Sequence, residues 1–304
     1  MKILIFGGAG FIGNQLTEKY LEAGHHVTVV DDCSNALEEQ IYIHQTYAKY
    51  KYIGDKIENI LEINFPYYSY DIVYHLASES RPLKFQEKYD KIVSANIIGL
   101  RELLVWMKRF SPDARLIYAS TSEVYGENTG KLSEETPCII NTKYNRNVYA
   151  TAKMLAETML RNENDINWNI VRFFNVYGPI NRSDDTKIIP MLMKAVKHDY
   201  EFEICGNGNQ TRSYTHIEDV IDGLLKLGNA ECKYEIFNLG AERDYSIEEI
   251  VSYVLEYFDL KYKHIPARAG EPVYRLTDAS KAKQILNWEA KKSFPEELRK
   301  LLKL

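Results

Sequence analysis

Tyr149 and Lys153 stand four residues apart in "NVYATAKMLAE", residues 147 to 157. Ala152, Leu155, Ala156, Met159 and Leu160 repeat at helical spacing, which predicts an amphipathic helix over 149–161 with the tyrosine and lysine one turn apart on a shared face. A phenol loses its proton near pH ~10, so work as a base near neutrality asks for roughly three units of depression, about 4 kcal/mol. An ammonium group one turn away acts in that direction. A second set of reactive side chains, Thr121, Ser122 and Glu123, lies in "STSEVYG" at 120 to 126, directly after an apolar run that predicts a buried strand. In a parallel sheet the carboxyl ends of the strands are where ligands bind.

Gly7, Gly10 and Gly13 fall at G-x-x-G-x-x-G spacing in "ILIFGGAGFIG", between a predicted strand and a predicted helix. Residues without side chains let the backbone turn sharply, approach a pyrophosphate and present it with the amides of a helix amino terminus. The second predicted strand ends at Asp31, eighteen residues past Gly13, where a carboxylate can accept hydrogen bonds from a ribose diol. The stretch "DCSNALEEQ" that follows brings no Arg or Lys to neutralise a 2′-phosphate, and Asp31 would repel one, so NAD is favoured over NADP.

These positions need a scaffold, and the chain supplies the rhythm of one. "KILIF", "HVTVV", "DIVYHLA", "RLIYAS" and "NIVRFF" are continuous apolar runs, as strands buried on both faces are. Helical patterns fall between them, one from Phe11 to Gly24 and another containing Asn96, Leu100, Leu103 and Leu104. The expected fold is therefore α/β, a doubly wound parallel sheet of Rossmann type. "EIFNLG" at 235 to 240 predicts a return to that sheet. The loosened pattern after Asn175 and from about Tyr245 predicts a second, smaller carboxyl-terminal α/β unit. The expected division is 1–174 with 214–241 for the cofactor unit and 175–213 with 242–304 for the other. Thr215 with Glu218 and Ser246 with Glu249 are predicted to be helix-capping boxes.

Composition narrows the partners. With 38 basic against 43 acidic side chains and a net charge of −5, the chain lacks the basic footprint of a nucleic-acid binder. No segment reads as a membrane span, and "MKILIFGGAG" is too short an apolar run for a signal-peptide core. Cys33, Cys138, Cys205 and Cys232 show no C-x-x-C spacing, which fits reduced thiols in a cytoplasm, and neither they nor the seven histidines suggest a metal site.

Taken in order, Gly7/Gly10/Gly13, "HLAS" at 75 to 78, Asn96 in "NIIG", Tyr149/Lys153, "RFFNVYGP" and "GNGNQTRSYTHIEDV" resemble the extended short-chain dehydrogenase/reductase family of nucleotide-sugar epimerases, dehydratases and decarboxylases. The resemblance implies that Tyr149 takes a proton from a sugar hydroxyl, usually at C4, as hydride passes to NAD. Lys153 would hold the nicotinamide ribose and lower the tyrosine pKa, and Thr121 would hydrogen-bond the reacting oxygen. Expected cofactor positions are Gly7, Gly10, Phe11, Ile12, Gly13, Asp31, Asp32, Ser34, Asn35, Asp55, Leu76, Ala77, Ser78, Asn96, Ser120, Tyr149, Lys153 and Phe174. Asn175 matches a nucleotide-sugar contact, and Arg212 and Arg268 match a diphosphate clamp, a role suited to the planar guanidinium fork.

Oxidation at C4 acidifies the C5 proton and turns a C5 carboxylate into a β-keto acid. One first step therefore opens epimerisation, 4,6-dehydration and decarboxylation. Glu123 beside Thr121 can serve as a base toward C5, which points to a 4,6-dehydratase or an epimerase. Ser122, where many dehydratases carry Asp, keeps a nucleoside-diphosphate uronate decarboxylase or a 4-dehydrogenase open. A non-catalytic NAD-binding regulator is the alternative of another class, opposed by the survival of Thr121, Tyr149 and Lys153 together. The resemblance also implies a homodimer joined through a four-helix bundle from helices at 92–109 and 149–161.

Overall fold

A computed structural model describes residues 1–36, 39–67, 69–179, 187–267 and 274–303. Seven strands form its main sheet: β1 (Lys2–Phe6), β2 (His26–Val30), β3 (Tyr50–Ile53), β4 (Ile72–His75), β5 (Arg115–Thr121), β6 (Asn167–Phe173) and β7 (Glu235–Leu239). They lie in the order β7-β6-β5-β4-β1-β2-β3, and every pairing is parallel. β1 shows why the strand sequences are apolar without alternation. Ile3 and Ile5 enter one core with Leu16, Val220 and Leu224, from helices α1 (Phe11–Glu22) and Ile217–Asn229. Leu4 and Phe6 enter a second core on the other face with Leu100, Leu103, Ala156 and Leu160, from α2 (Gly99–Phe110) and α3 (Val148–Arg161). Both faces are covered, so both sets of side chains must be apolar.

The chain winds outward in opposite directions from β1 and β4. That reversal opens a crevice at the carboxyl ends of the central strands. The glycine turn enters it, and its packing leaves no room for substituents: Gly7 has φ +80°, and a Cβ on Gly13 would sit 2.1 Å from the Gly7 carbonyl oxygen. Gly13→Ala is expected to cost about 3 kcal/mol or more in urea unfolding, because backbone rather than a flexible side chain must yield. An unchanged midpoint would show that the turn relaxes freely.

A third core, built around Tyr177, Leu192, Phe202, Ile204, Val254, Phe294 and Leu298, lies outside the main sheet. Beside it a four-stranded sheet runs in the order Asp244–Ser246, Thr211–Ser213, Tyr274–Thr277, Lys131–Leu132. Thr211–Ser213 and Tyr274–Thr277 are parallel, with Arg212 opposite Arg275.

Two local expectations are corrected. Ser246 and Glu249 form the reciprocal capping box, but Thr215 caps nothing. The helix begins at Ile217 with His216 as its cap, so Thr215 stands one residue too early, in extended backbone, and its hydroxyl accepts from the Ala241 amide at 2.9 Å. The helix expected around Asn96 is also not uniform: an α-turn over Tyr89–Val93 passes into a π-turn over Ser94–Ile98 before α2 begins.

Candidate active site

The crevice is a cavity of about 800 Å³ with the glycine turn at one end and Arg212 at the other. Gly10 precedes α1 in extended conformation and no side chain caps that helix. The first-turn amides around Phe11, Ile12 and Gly13 thus border the cavity without a side-chain competitor. At the end of β2 the Asp31 carboxylate accepts from the amides of Ala9 (3.0 Å) and Cys33 (2.8 Å), tying the glycine turn to the loop that follows. Asp32, Ser34, Asn35 and Asp55 line the same end, and Leu76, Ala77 and Ser78 form the floor. A Cβ on Gly7 would meet the Ala77 amide nitrogen at 2.6 Å, so the turn packs flush on that floor. An anion-accepting helix terminus, a flat glycine cradle and an acid at the end of the second strand fit a dinucleotide.

The structure also brings a cation to this end that the sequence of the β2 loop does not contain. Arg81 Nη2 donates to Asn35 Oδ1 from the loop after β4. Its guanidinium is buried in a paired contact with Glu79 (Nε to Oε1 2.8 Å, Nη2 to Oε2 2.7 Å), and Lys88 stands 3.5 Å from the same carboxylate. Its charge is therefore matched by Glu79.

Asn96 does not line the cavity. Fully buried at the π-turn, it donates to Ser78 Oγ (2.9 Å) and the Ile92 carbonyl (2.8 Å) and accepts from the Tyr118 hydroxyl (3.0 Å). Among the expected cofactor positions it supports the floor from behind, because the widened turn points its amide inward.

Tyr149 and Lys153 sit side by side on α3 and both line the cavity with Ser120, Thr121, Ser122 and Glu123. The Tyr149 ring stacks on Phe85, centroids 4.6 Å apart and planes 16° apart. Lys153 Nζ donates to the Ala119 carbonyl and lies 4.6 Å from the Tyr118 ring centroid and 5.9 Å from that of Tyr149. Their electrostatics differ from expectation. Burial pushes the Tyr149 phenol well above its ordinary range and the Glu123 carboxylate adds to the rise, while a hydrogen bond with Thr121 opposes both. Burial also pulls the Lys153 ammonium down to about 7, with Glu157 acting the other way. In the protein by itself the lysine does not lower the tyrosine: removing two neighbouring ionisable groups from water costs more than their proximity returns.

Glu123 is half-buried, and burial acts to raise its pKa. The guanidinium groups of Arg275, Arg146 and Arg212 together prevail and hold it below the usual carboxylate range. Arg275 carries most of this, with Nη1 2.9 Å from Glu123 Oε1 and Nη2 donating to the Gly126 carbonyl at 2.9 Å. Only 2% of Arg275 is exposed. Neither Arg275 nor Arg146 stands in any motif spacing, so sequence reasoning missed both, as it missed Phe85. Phe174 is buried against Tyr125 at the cavity wall, and Asn175, exposed, donates to the Ser213 carbonyl at 3.3 Å. Arg212 lines the cavity and donates to the Thr211 carbonyl. Arg268 lies outside the described residues. Among the described residues no group of three or more His, Cys, Asp or Glu side chains could hold a metal ion.

The profile of the NAD dependent epimerase/dehydratase family matches residues 3–240. UDP-glucuronic acid decarboxylase 1 of Arabidopsis thaliana is 30% identical over 99% of the chain and 69% of its own length. The Xenopus tropicalis protein of the same name is 30% identical over 99% and 71%. Among solved structures, UDP-glucuronic acid 4-epimerase from Bacillus cereus in complex with UDP-glucuronic acid and NAD superposes with a TM-score of 0.87 at 26% identity, covering 100% of this chain and 98% of that one. UDP-glucose 4-epimerase from Thermotoga maritima with UDP-glucose gives the same TM-score, identity and coverage.

Proposed function

The chain belongs to the NAD dependent epimerase/dehydratase family, whose members are NAD-dependent enzymes acting on nucleotide sugars, and on that premise we propose that it oxidises a UDP-uronate at C4 and decarboxylates the product. The buried Arg275–Glu123 pair beside Tyr149 carries this choice among the reactions that follow C4 oxidation. A carboxylate held ionised by three arginines is a weak base toward a C5 proton. Ser122 is a poorer acid toward a leaving C6 hydroxyl than the Asp many dehydratases carry there, which favours decarboxylation over 4,6-dehydration. A sugar carboxylate in the cavity is instead recognised by charge and fork geometry at Arg146, which lines the wall and acts on Glu123. The curated relatives named above point the same way.

NAD, when bound, supplies the acceptor for the C4 hydrogen. Tyr149 takes the proton of the C4 hydroxyl, and Thr121 hydrogen-bonds the same oxygen. Lys153 stands between the cofactor side of the cavity and the Tyr149 ring, where its ammonium and the nicotinamide charge together offset the burial cost of a phenolate. With a carbonyl at C4, the bond from C5 to its carboxylate breaks, carbon dioxide leaves, and the electron pair passes to the C4 oxygen, where the Tyr149 and Thr121 hydroxyls receive it. C5 then takes a proton from solvent. The Glu123 charge beside the departing carboxylate favours its loss as a neutral molecule. Arg212 holds the diphosphate.

Incubation with NAD and UDP-glucuronate is expected to release carbon dioxide and leave a UDP-pentose or its 4-keto form. UDP-galacturonate without carbon dioxide would replace this reading with 4-epimerisation. Turnover of UDP-glucose to a 4-keto-6-deoxy sugar would replace it with dehydration.

The same reading includes a homodimer. Val105 on α2 and Leu155 on α3 are about half exposed, apolar side chains that would suit a second copy through a four-helix bundle. A cytoplasmic location fits four free cysteines. Among the described residues no helix is long and apolar enough to cross a membrane.

A further inference from the structure

Tyr149 and Lys153 continue one turn further along α3 into Glu157, and all three point inward from the same stripe of the helix. Lys153 is 1% exposed and Glu157 3%. Tyr149 and Lys153 face the cavity; Glu157 lies behind them, outside its lining. Its carboxylate is fully engaged there. Arg172 on β6, itself 3% exposed, donates from Nε to Oε1 at 3.0 Å and from Nη2 to Oε2 at 2.6 Å, and the Ser120 hydroxyl donates to Oε1. Arg172 is in turn fixed over the Tyr125 ring at 4.8 Å and donates to the Glu134 carbonyl. A bidentate contact of this kind fixes position as well as charge.

Every other neighbour that could set the charge on Lys153 is neutral or of its own sign. The Tyr118 ring lies against the ammonium from β5, with its phenol raised far out of range by burial. His75 on β4 is held neutral, down at about 3, first by burial and then by Lys153 itself. Tyr149 is raised. Among the described residues Glu157 is the one carboxylate that acts on Lys153, and it acts to keep the proton on the amine. Arg172, Cys138 and Tyr118 are the groups that face Glu157 from the strands and the loop around it.

We propose that Glu157 is a positioning residue for the reaction: locked by Arg172 and Ser120 behind the catalytic pair, it supplies the buried counter-charge that keeps Lys153 an ammonium. Without such a partner an amine this deeply buried gives up its proton. A neutral Lys153 offers no charge to a phenolate at Tyr149. The helix therefore carries base, cation and counter-ion at successive turns, and the last of them never meets substrate.

This extends the roles given above to Tyr149 and Lys153, but its test needs neither substrate nor cofactor, so a wrong sugar assignment would leave it standing. With lysine labelled at Cε and the Lys153 signal assigned by its absence in Lys153→Met, carbon NMR follows the amine through its titration. The native protein is expected to titrate near neutrality, and Glu157→Gln to titrate lower by about one unit or more, since the opposite charge within a helical turn is gone. Glu157→Asp, which keeps the charge but withdraws it by one methylene, is expected to fall between. At the pH where the native amine is half charged, the glutamine variant then holds about tenfold less ammonium relative to free amine. A folded Glu157→Gln that titrates with the native midpoint overturns the proposal, leaving Glu157 as a tie between α3 and the sheet. Should the glutamine variant fail to fold, Glu157→Asp decides alone: a downward shift supports the proposal, and a native midpoint overturns it.

Discussion

Tyr149→Phe is expected to lower turnover by about three orders of magnitude while the protein stays folded and binds NAD as before. The substitution removes one oxygen from a side chain whose ring is held independently, stacked on Phe85 and packed beside Ile92 and Ala152. The ring therefore stays where it is, and the change tests the proton alone. The glycine turn and Asp31, at the far end of the cavity, make no contact with that oxygen, so cofactor titration by fluorescence should give the native affinity. Persistence of turnover at the native rate would remove Tyr149 from the chemistry. Burial raises the phenol in the protein alone, so the active rate should depend on the charge that the bound nicotinamide adds. That dependence distinguishes a base assembled with its cofactor from one preformed in the protein.

Glu123→Gln has the second large expected effect, and it is twofold. Carbon dioxide release should fall by at least about a hundredfold while the C4 hydrogen is still transferred, because Tyr149 and Thr121 are untouched. In a burst experiment this appears as reduced cofactor accumulating without carbon dioxide. Stability should fall as well. Arg275 is buried and cannot shed its proton, so losing its carboxylate strands a charge away from water, at a cost of about 3 kcal/mol or more. Chemical unfolding reads that loss separately from catalysis. A variant that releases carbon dioxide at the native rate would leave Glu123 as a structural partner of Arg275 and return the choice among reactions to the substrate panel.

The cofactor half of this cavity was legible from sequence because its requirements are local. A tight turn needs Gly7 and Gly13 within a few residues, a helix terminus follows at once, and Asp31 closes the next strand. The parallel sheet was legible for a related reason, since burial on both faces forces apolar runs such as "KILIF" that periodicity exposes directly. Arg275 was not legible. It reaches Glu123 across 152 positions of chain, on a short strand whose partners are equally short and remote, and a lone arginine in "YRLTD" carries no spacing that announces burial. Arg81 was missed because a loop read by itself shows no cation, while the fold delivers one from the loop after β4. Thr215 misled by matching a pattern one residue before the backbone turned helical. The raised Tyr149 and lowered Lys153 belong to a fourth kind: side-by-side placement was correct, but the balance of hydration against attraction depends on depth, which sequence spacing does not encode.

Arg212 and Arg275 stand abreast on adjacent parallel strands, and Arg146 also acts on Glu123. The three guanidinium groups repel one another there, and an anionic guest settling beside Arg146 and Arg212 on the cavity wall relieves that repulsion. Dissolved salt should then stiffen the unliganded enzyme toward heat, since counter-ions substitute for that guest, and the extra thermal protection conferred by a nucleotide sugar should shrink as ionic strength climbs.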